Sequence, residues 1–167
     1  MTTQLTSQQV AADRRAEAAL IGAVALGCLA SIVRLLTEGA LTSVAVSFLW
    51  MLFPPALILA AAVIAAPAER NAGVAQQKGA LLILAGLAAL SVPFTVSLPF
   101  SPIYGIALIL LAVRTRYSTT AVIGGVALIG SLVVSILTVP QAVLALAVLA
   151  VACVANAVRV RSAARSS

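Results

Sequence analysis

The sequence predicts an all-α integral membrane protein, a six-helix transmembrane bundle, on three observations. Its 167 residues are 63% hydrophobic and only 8% charged, whereas soluble domains are about half apolar and a quarter charged. Apolar segments recur along the whole chain at close to the roughly 20 residues that a helix needs to cross about 30 Å of hydrocarbon. The basic residues fall in every second connection between those segments, the pattern by which a multi-pass chain is oriented. The resulting organisation is a cytoplasmic N-terminal segment over 1–17, a six-span bundle over 18–158 and a basic cytoplasmic tail over 159–167.

The first span runs from Ala18 to Leu36. The opening "MTTQLTSQQVAADRRAEAAL" has the polar, basic, apolar order of a signal peptide, but the apolar run continues past Cys28 to Ala30 and reads as a retained span. Ala19, Ala23, Gly27 and Ser31 recur at i+4 and form a small-residue stripe. Helices approach closely along such stripes, either inside one chain or against another membrane subunit.

The second span, Leu41 to Ala66, contains "SFLWMLFPPALILAAAVIAA". Pro54 and Pro55 near its centre lack amide hydrogens, so the helix is predicted to be interrupted there, with the carbonyls of Trp50 and Met51 released. The third span, Gly79 to Leu98, carries Pro93, which likewise releases Ala89. The fourth, from Pro102 to Val113, is short: about 12 apolar residues reach about 18 Å. Ser101 and Pro102 read as its N-cap and first residue. Part of the preceding "SVPFTVSLPFSP", over 93–102, is expected to dip into the membrane. The fifth span, Thr119 to Thr138, has small residues at Ala127, Ser131 and Ser135, and the sixth runs from Pro140 to Val158. Cys28 and Cys153 both lie within spans at different depths and read as small packing residues, not as a disulfide.

Charge fixes the orientation. Arg14 and Arg15 precede the first span, Arg70 and Lys78 follow the second, Arg114 and Arg116 follow the fourth, and Arg159, Arg161 and Arg165 follow the sixth. Nine of the ten basic residues therefore lie on one side of a six-span chain with both termini in the cytoplasm. The exception is Arg34, four residues before Glu38, a pairing at i+4 that suits an ion pair at the outer mouth. Arginine outnumbers the single lysine, Lys78, and alanine is abundant, which points to a GC-rich bacterial genome and a bacterial cytoplasmic membrane.

Composition also excludes functions. Histidine is absent and the acidic residues are only Asp13, Glu17, Glu38 and Glu69, all near or beyond membrane boundaries. No metal cluster, no activated serine and no nucleotide fingerprint can be assembled, so no catalytic residue, metal or cofactor is expected and the chain reads as a non-enzyme. The net charge of +6 is spread thinly and without interleaved aromatics, which argues against nucleic acid and leaves the lipid bilayer as the first partner.

Unpaired carbonyls in hydrocarbon must be met by a hydroxyl, a water or a ligand. Ser31, Ser91 and Ser131 fall at similar depth on three other spans, so a neutral cavity lined by Trp50, Met51, Pro54, Pro55 and these serines is the candidate binding site, with Arg34 and Glu38 at its mouth. Interrupted helices near mid-membrane point to a permease, or to the membrane subunit of a transport complex. The alternative is a non-catalytic accessory or assembly subunit, docked to other membrane subunits through Ala19, Ala23, Gly27 and Ser31. The size and six-span, both-ends-inside plan resemble the substrate-binding subunits of energy-coupling-factor importers. The resemblance is one of topology and implies a transport subunit driven by a partner.

Overall fold

The computed structural model describes residues 7–37, 44–73, 78–95, 98 and 100–165, and contains six helices. They are α1 (Ser7–Thr37), α2 (Val44–Asn71), α3 (Lys78–Thr95), α4 (Ile103–Thr115), α5 (Ser118–Val134) and α6 (Val139–Arg165). No strand occurs among the described residues. Three helical stretches, Gln8–Thr37, Phe48–Asn71 and Val139–Val160, are long and apolar enough to cross a membrane, while α4 has 13 residues and is short as expected.

α1 is the central element and packs against α2, α4 and α6; α4 pairs with α5 and α2 with α3. The interior is built from small and aliphatic side chains. Leu20, Ile21, Val24 and Cys28 on α1 meet Ile58, Ala61 and Ala65 on α2, Tyr104, Leu108 and Leu111 on α4, and Leu146 and Cys153 on α6. Both cysteines are free thiols, buried in this interior. Large apolar residues also cover the outside of all six helices, for example Leu29, Leu49, Ile83, Val113, Ile129 and Val151. An apolar exterior of this extent suits hydrocarbon better than water.

Two glycines show how tightly the helices approach. A methyl at Gly105 of α4 would come within 2.6 Å of the Leu128 backbone nitrogen and 2.7 Å of the Gly124 carbonyl oxygen on α5. A methyl at Gly27 would meet the Tyr104 ring at 2.5 Å. Tyr104 in turn stacks on buried Phe100 with centroids 5.2 Å apart. Of the 93–102 segment expected to dip into the membrane, residues 93–95 close α3 and 98 and 100–102 are described, while residues 96, 97 and 99 lie outside the described residues.

One expectation is revised. The helix through Pro54 and Pro55 is not interrupted: α2 is continuous from Val44 to Asn71, with Pro54, Pro55 and Pro67 all inside it. A proline deletes one hydrogen bond and crowds one carbonyl, while the ladder on either side and the packing of buried Pro55 and Ile58 carry the helix across. Separately, α1 spans Ser7–Thr37, so the described part of the segment expected to be cytoplasmic, 7–17, is helical and continuous with the first span. Ala12, Asp13, Ala16 and Glu17 are buried there.

Candidate functional site

Of the residues expected to line a cavity at the prolines, two serines bond within their own helices. Ser31 Oγ donates to the Gly27 carbonyl at 2.8 Å and Ser131 Oγ to the Leu128 carbonyl at 2.7 Å, each within its own helix. Serine in an apolar helix adopts this bond readily. Trp50 and Met51 are half-buried, and Trp50 packs edge-on to Phe53 with centroids 6.2 Å apart. Neither cavity described below is lined by Trp50, Met51, Pro54, Pro55, Ser31 or Ser131. The side chain of Ser91 and all of Glu38 lie outside the described residues. Arg34 Nη1 reaches the Leu98 carbonyl at 3.5 Å, linking α1 to the segment before α4.

The polar chemistry lies instead at one end of the bundle, where α1 and α5 begin and α2, α4 and α6 finish. Arg114, from the last turn of α4, donates through Nη2 to Asp13 Oδ1 at 2.6 Å and through Nη1 to Glu69 Oε1. One guanidinium thus ties α4 to both α1 and α2. Glu69 is 1% exposed on its side chain, Asp13 9% and Arg114 18%. One turn above Asp13, Glu17 accepts a hydrogen bond from the Thr120 hydroxyl on α5, and both residues are buried. In this desolvated setting each carboxylate is held by a fixed donor, and removal of a partner would strand a buried charge.

Beside this network opens a cavity of about 390 Å³ lined by Arg14 and Glu17 of α1, Arg116, Tyr117, Ser118 and Thr119 at the α4–α5 turn, and Asn156, Arg159 and Val160 of α6. Three arginines against one glutamate give the lining a positive excess. Among the described residues none of these three guanidiniums is engaged in an ion pair. The Asn156 Nδ2 is fully buried and has no hydrogen-bond partner among them. Arg116 is held in the left-handed region at φ 59°, where its amide closes the end of α4 on the Ala112 carbonyl at 2.7 Å. Glycine is the usual residue in that conformation, so the arginine there brings a cation to the lip at some backbone cost. The first turn of α5 has no side-chain cap at Tyr117, and Tyr117, Ser118 and Thr119 line the same space. The set can hold a small anion through charge-assisted hydrogen bonds.

The sequence reading missed Asp13, Glu17, Glu69, Thr120 and Asn156, and read Arg14, Arg114, Arg116 and Arg159 only as orienting charges. One signal was available: Asp13 and Glu17 continue the face that carries Leu20, Ile21, Val24 and Cys28 into the core. Carboxylates in phase with a buried stripe call for buried partners. Comparison with protein-family models, with curated proteins and with solved structures gave no match.

Proposed function

We propose that the chain is a six-span protein of a bacterial cytoplasmic membrane with both termini in the cytoplasm, and that it is a non-catalytic transport component, a small permease or the membrane subunit of a transport complex, that receives a small anionic solute at its cytoplasmic end. The observation that carries this reading is the cationic cavity: three guanidiniums from α1, the α4–α5 turn and α6 face one space with the Asn156 amide, and among the described residues none of them has an ion-pair partner and the amide nitrogen has no acceptor. Basic connections mark that end as cytoplasmic, and the apolar exterior supports the membrane. This reading puts the site at the basic end and not at the neutral cavity expected at the prolines. The Arg114 network beside it fixes α1, α2 and α4 in register, so the cavity walls are preorganised and less binding energy is lost to ordering them.

Sidedness and occupancy test the reading together. In membrane vesicles, a cysteine replacing Thr119 at the cavity lip is expected to react with a polar thiol reagent only from the cytoplasmic face, and more slowly in inorganic phosphate than in chloride. A cysteine replacing Thr138 is expected to react only from outside. Cys28 and Cys153 are buried and contribute no background. Labelling of Thr119→Cys and Thr138→Cys from the same face would refute the topology, and phosphate-insensitive labelling at Thr119→Cys would refute the site.

A further inference from the structure

A second cavity, of about 650 Å³, follows the outside of α1. Ala11, Ala18, Ala19, Gly22, Ala23 and Leu26 line one wall, and Leu57, Ala60, Ala61 and Ile64 of α2 line the other. At its basic end stand Arg14 and Arg15. It is a groove with a chemical gradient: apolar residues along most of its length and two cations towards one end, between Ala11 and Ala18.

We propose that this groove binds one anionic phospholipid, its phosphate held at Arg14 and Arg15 and an acyl chain laid between α1 and α2. Dimensions support this. From Ala18 to Leu26 is eight residues, about 12 Å along the helix, close to the roughly 15 Å of one leaflet's hydrocarbon. The arginines lie one turn beyond Ala18, at headgroup level. Neither makes an ion pair among the described residues, so both charges are available to a phosphate. Charge complementarity selects the anionic lipid, and the absence of side-chain bulk at Ala18, Ala19 and Gly22 makes room for a chain. The upper half of the small stripe has a different role: Gly27 lies beneath Tyr104 and Ser31 is buried. The proposal rests on the membrane location inferred above; Arg14 also lines the anionic-solute cavity, so the test uses Arg15 and Gly22, which lie outside that cavity.

Gly22 supplies the decisive substitution. A Cβ built there meets nothing within 4 Å, so Gly22→Leu starts its side chain into the open groove. Gly86→Leu on α3, equally open, is the control. Native mass spectrometry of the detergent-purified protein, given phosphatidylglycerol and phosphatidylcholine in equal amounts, reads occupancy directly. The wild-type chain is expected to retain one phosphatidylglycerol in preference to phosphatidylcholine. Arg15→Ala, which leaves the apolar groove intact, should lower that preference about fivefold, the worth of one basic residue at an anionic surface. Gly22→Leu should abolish retention of either lipid, and Gly86→Leu should behave as wild type. Equal retention of the two lipids by the wild type, or wild-type retention by Gly22→Leu, would overturn the proposal, as would a second copy of the chain released by Gly22→Leu in place of a lipid. A chain that purifies without detergent would instead overturn the membrane location.

Discussion

At the basic end, Arg114 joins three helices through Asp13 and Glu69, and Thr120 adds a fourth through Glu17. Around Pro54 and Pro55, by contrast, the described side chains of α2 are apolar, and Trp50, Phe53 and Ile58 pack without a charged partner. The difference separates two ways of holding helices together, and in the proposed membrane location the hydrophobic effect between helices would be weak. Directional, desolvated charge pairs fix register and cannot be half satisfied. Close packing of small and aliphatic residues tolerates irregularity, including two consecutive prolines. Fixed geometry belongs with a binding site, and the tolerant region belongs with the scaffold.

The largest expected effect is at the charged end. Arg114→Met leaves Glu69 and Asp13 buried without their cation and should cost about 3 kcal/mol or more, seen as a marked fall in the thermal unfolding midpoint in detergent. Neutralising the carboxylates as well, with Asp13→Asn and Glu69→Gln, should recover most of the loss, because a network without charge strands none. A triple variant as unstable as Arg114→Met alone would show that shape, not charge, holds this end.

The smallest effect is expected at the prolines. Pro54→Ala with Pro55→Ala restores donors to the Trp50 and Met51 carbonyls, yet removes a buried ring at Pro55. The net should be a gain of about 1 kcal/mol, short of the roughly 3 kcal/mol that a proline costs in an isolated helix interior. A large loss on the same thermal measurement would mean that the prolines shape α2 more strongly than its continuous helix implies.

The two regions were unequally legible in the sequence. Apolar runs predicted the six helices and the short α4, because hydrophobic length is a local property. The burial of Asp13 and Glu17 was less legible because both are polar, and only their phase with Leu20 and Val24 hinted at it. The partners of these carboxylates come from α4 and α5, at positions 114 and 120, and nothing local specifies so distant a pairing. Asn156 was invisible for the same reason, since its orphaned amide has meaning only beside Arg14 and Arg116. The prolines misled in the opposite direction. A strong local rule, that proline breaks a helix, was outweighed by the hydrogen-bond ladder on both sides.

The most direct test of the division between site and scaffold is the rise in unfolding midpoint produced by inorganic phosphate, measured in detergent at constant ionic strength, since a ligand that binds only the folded protein stabilises it in proportion to its occupancy. The account predicts a phosphate-dependent rise in the wild type that persists in the Pro54→Ala, Pro55→Ala protein and disappears in Arg116→Ala, Arg159→Ala. A rise that survives loss of the two arginines but vanishes with the prolines would contradict it, and would return the site to the middle of α2.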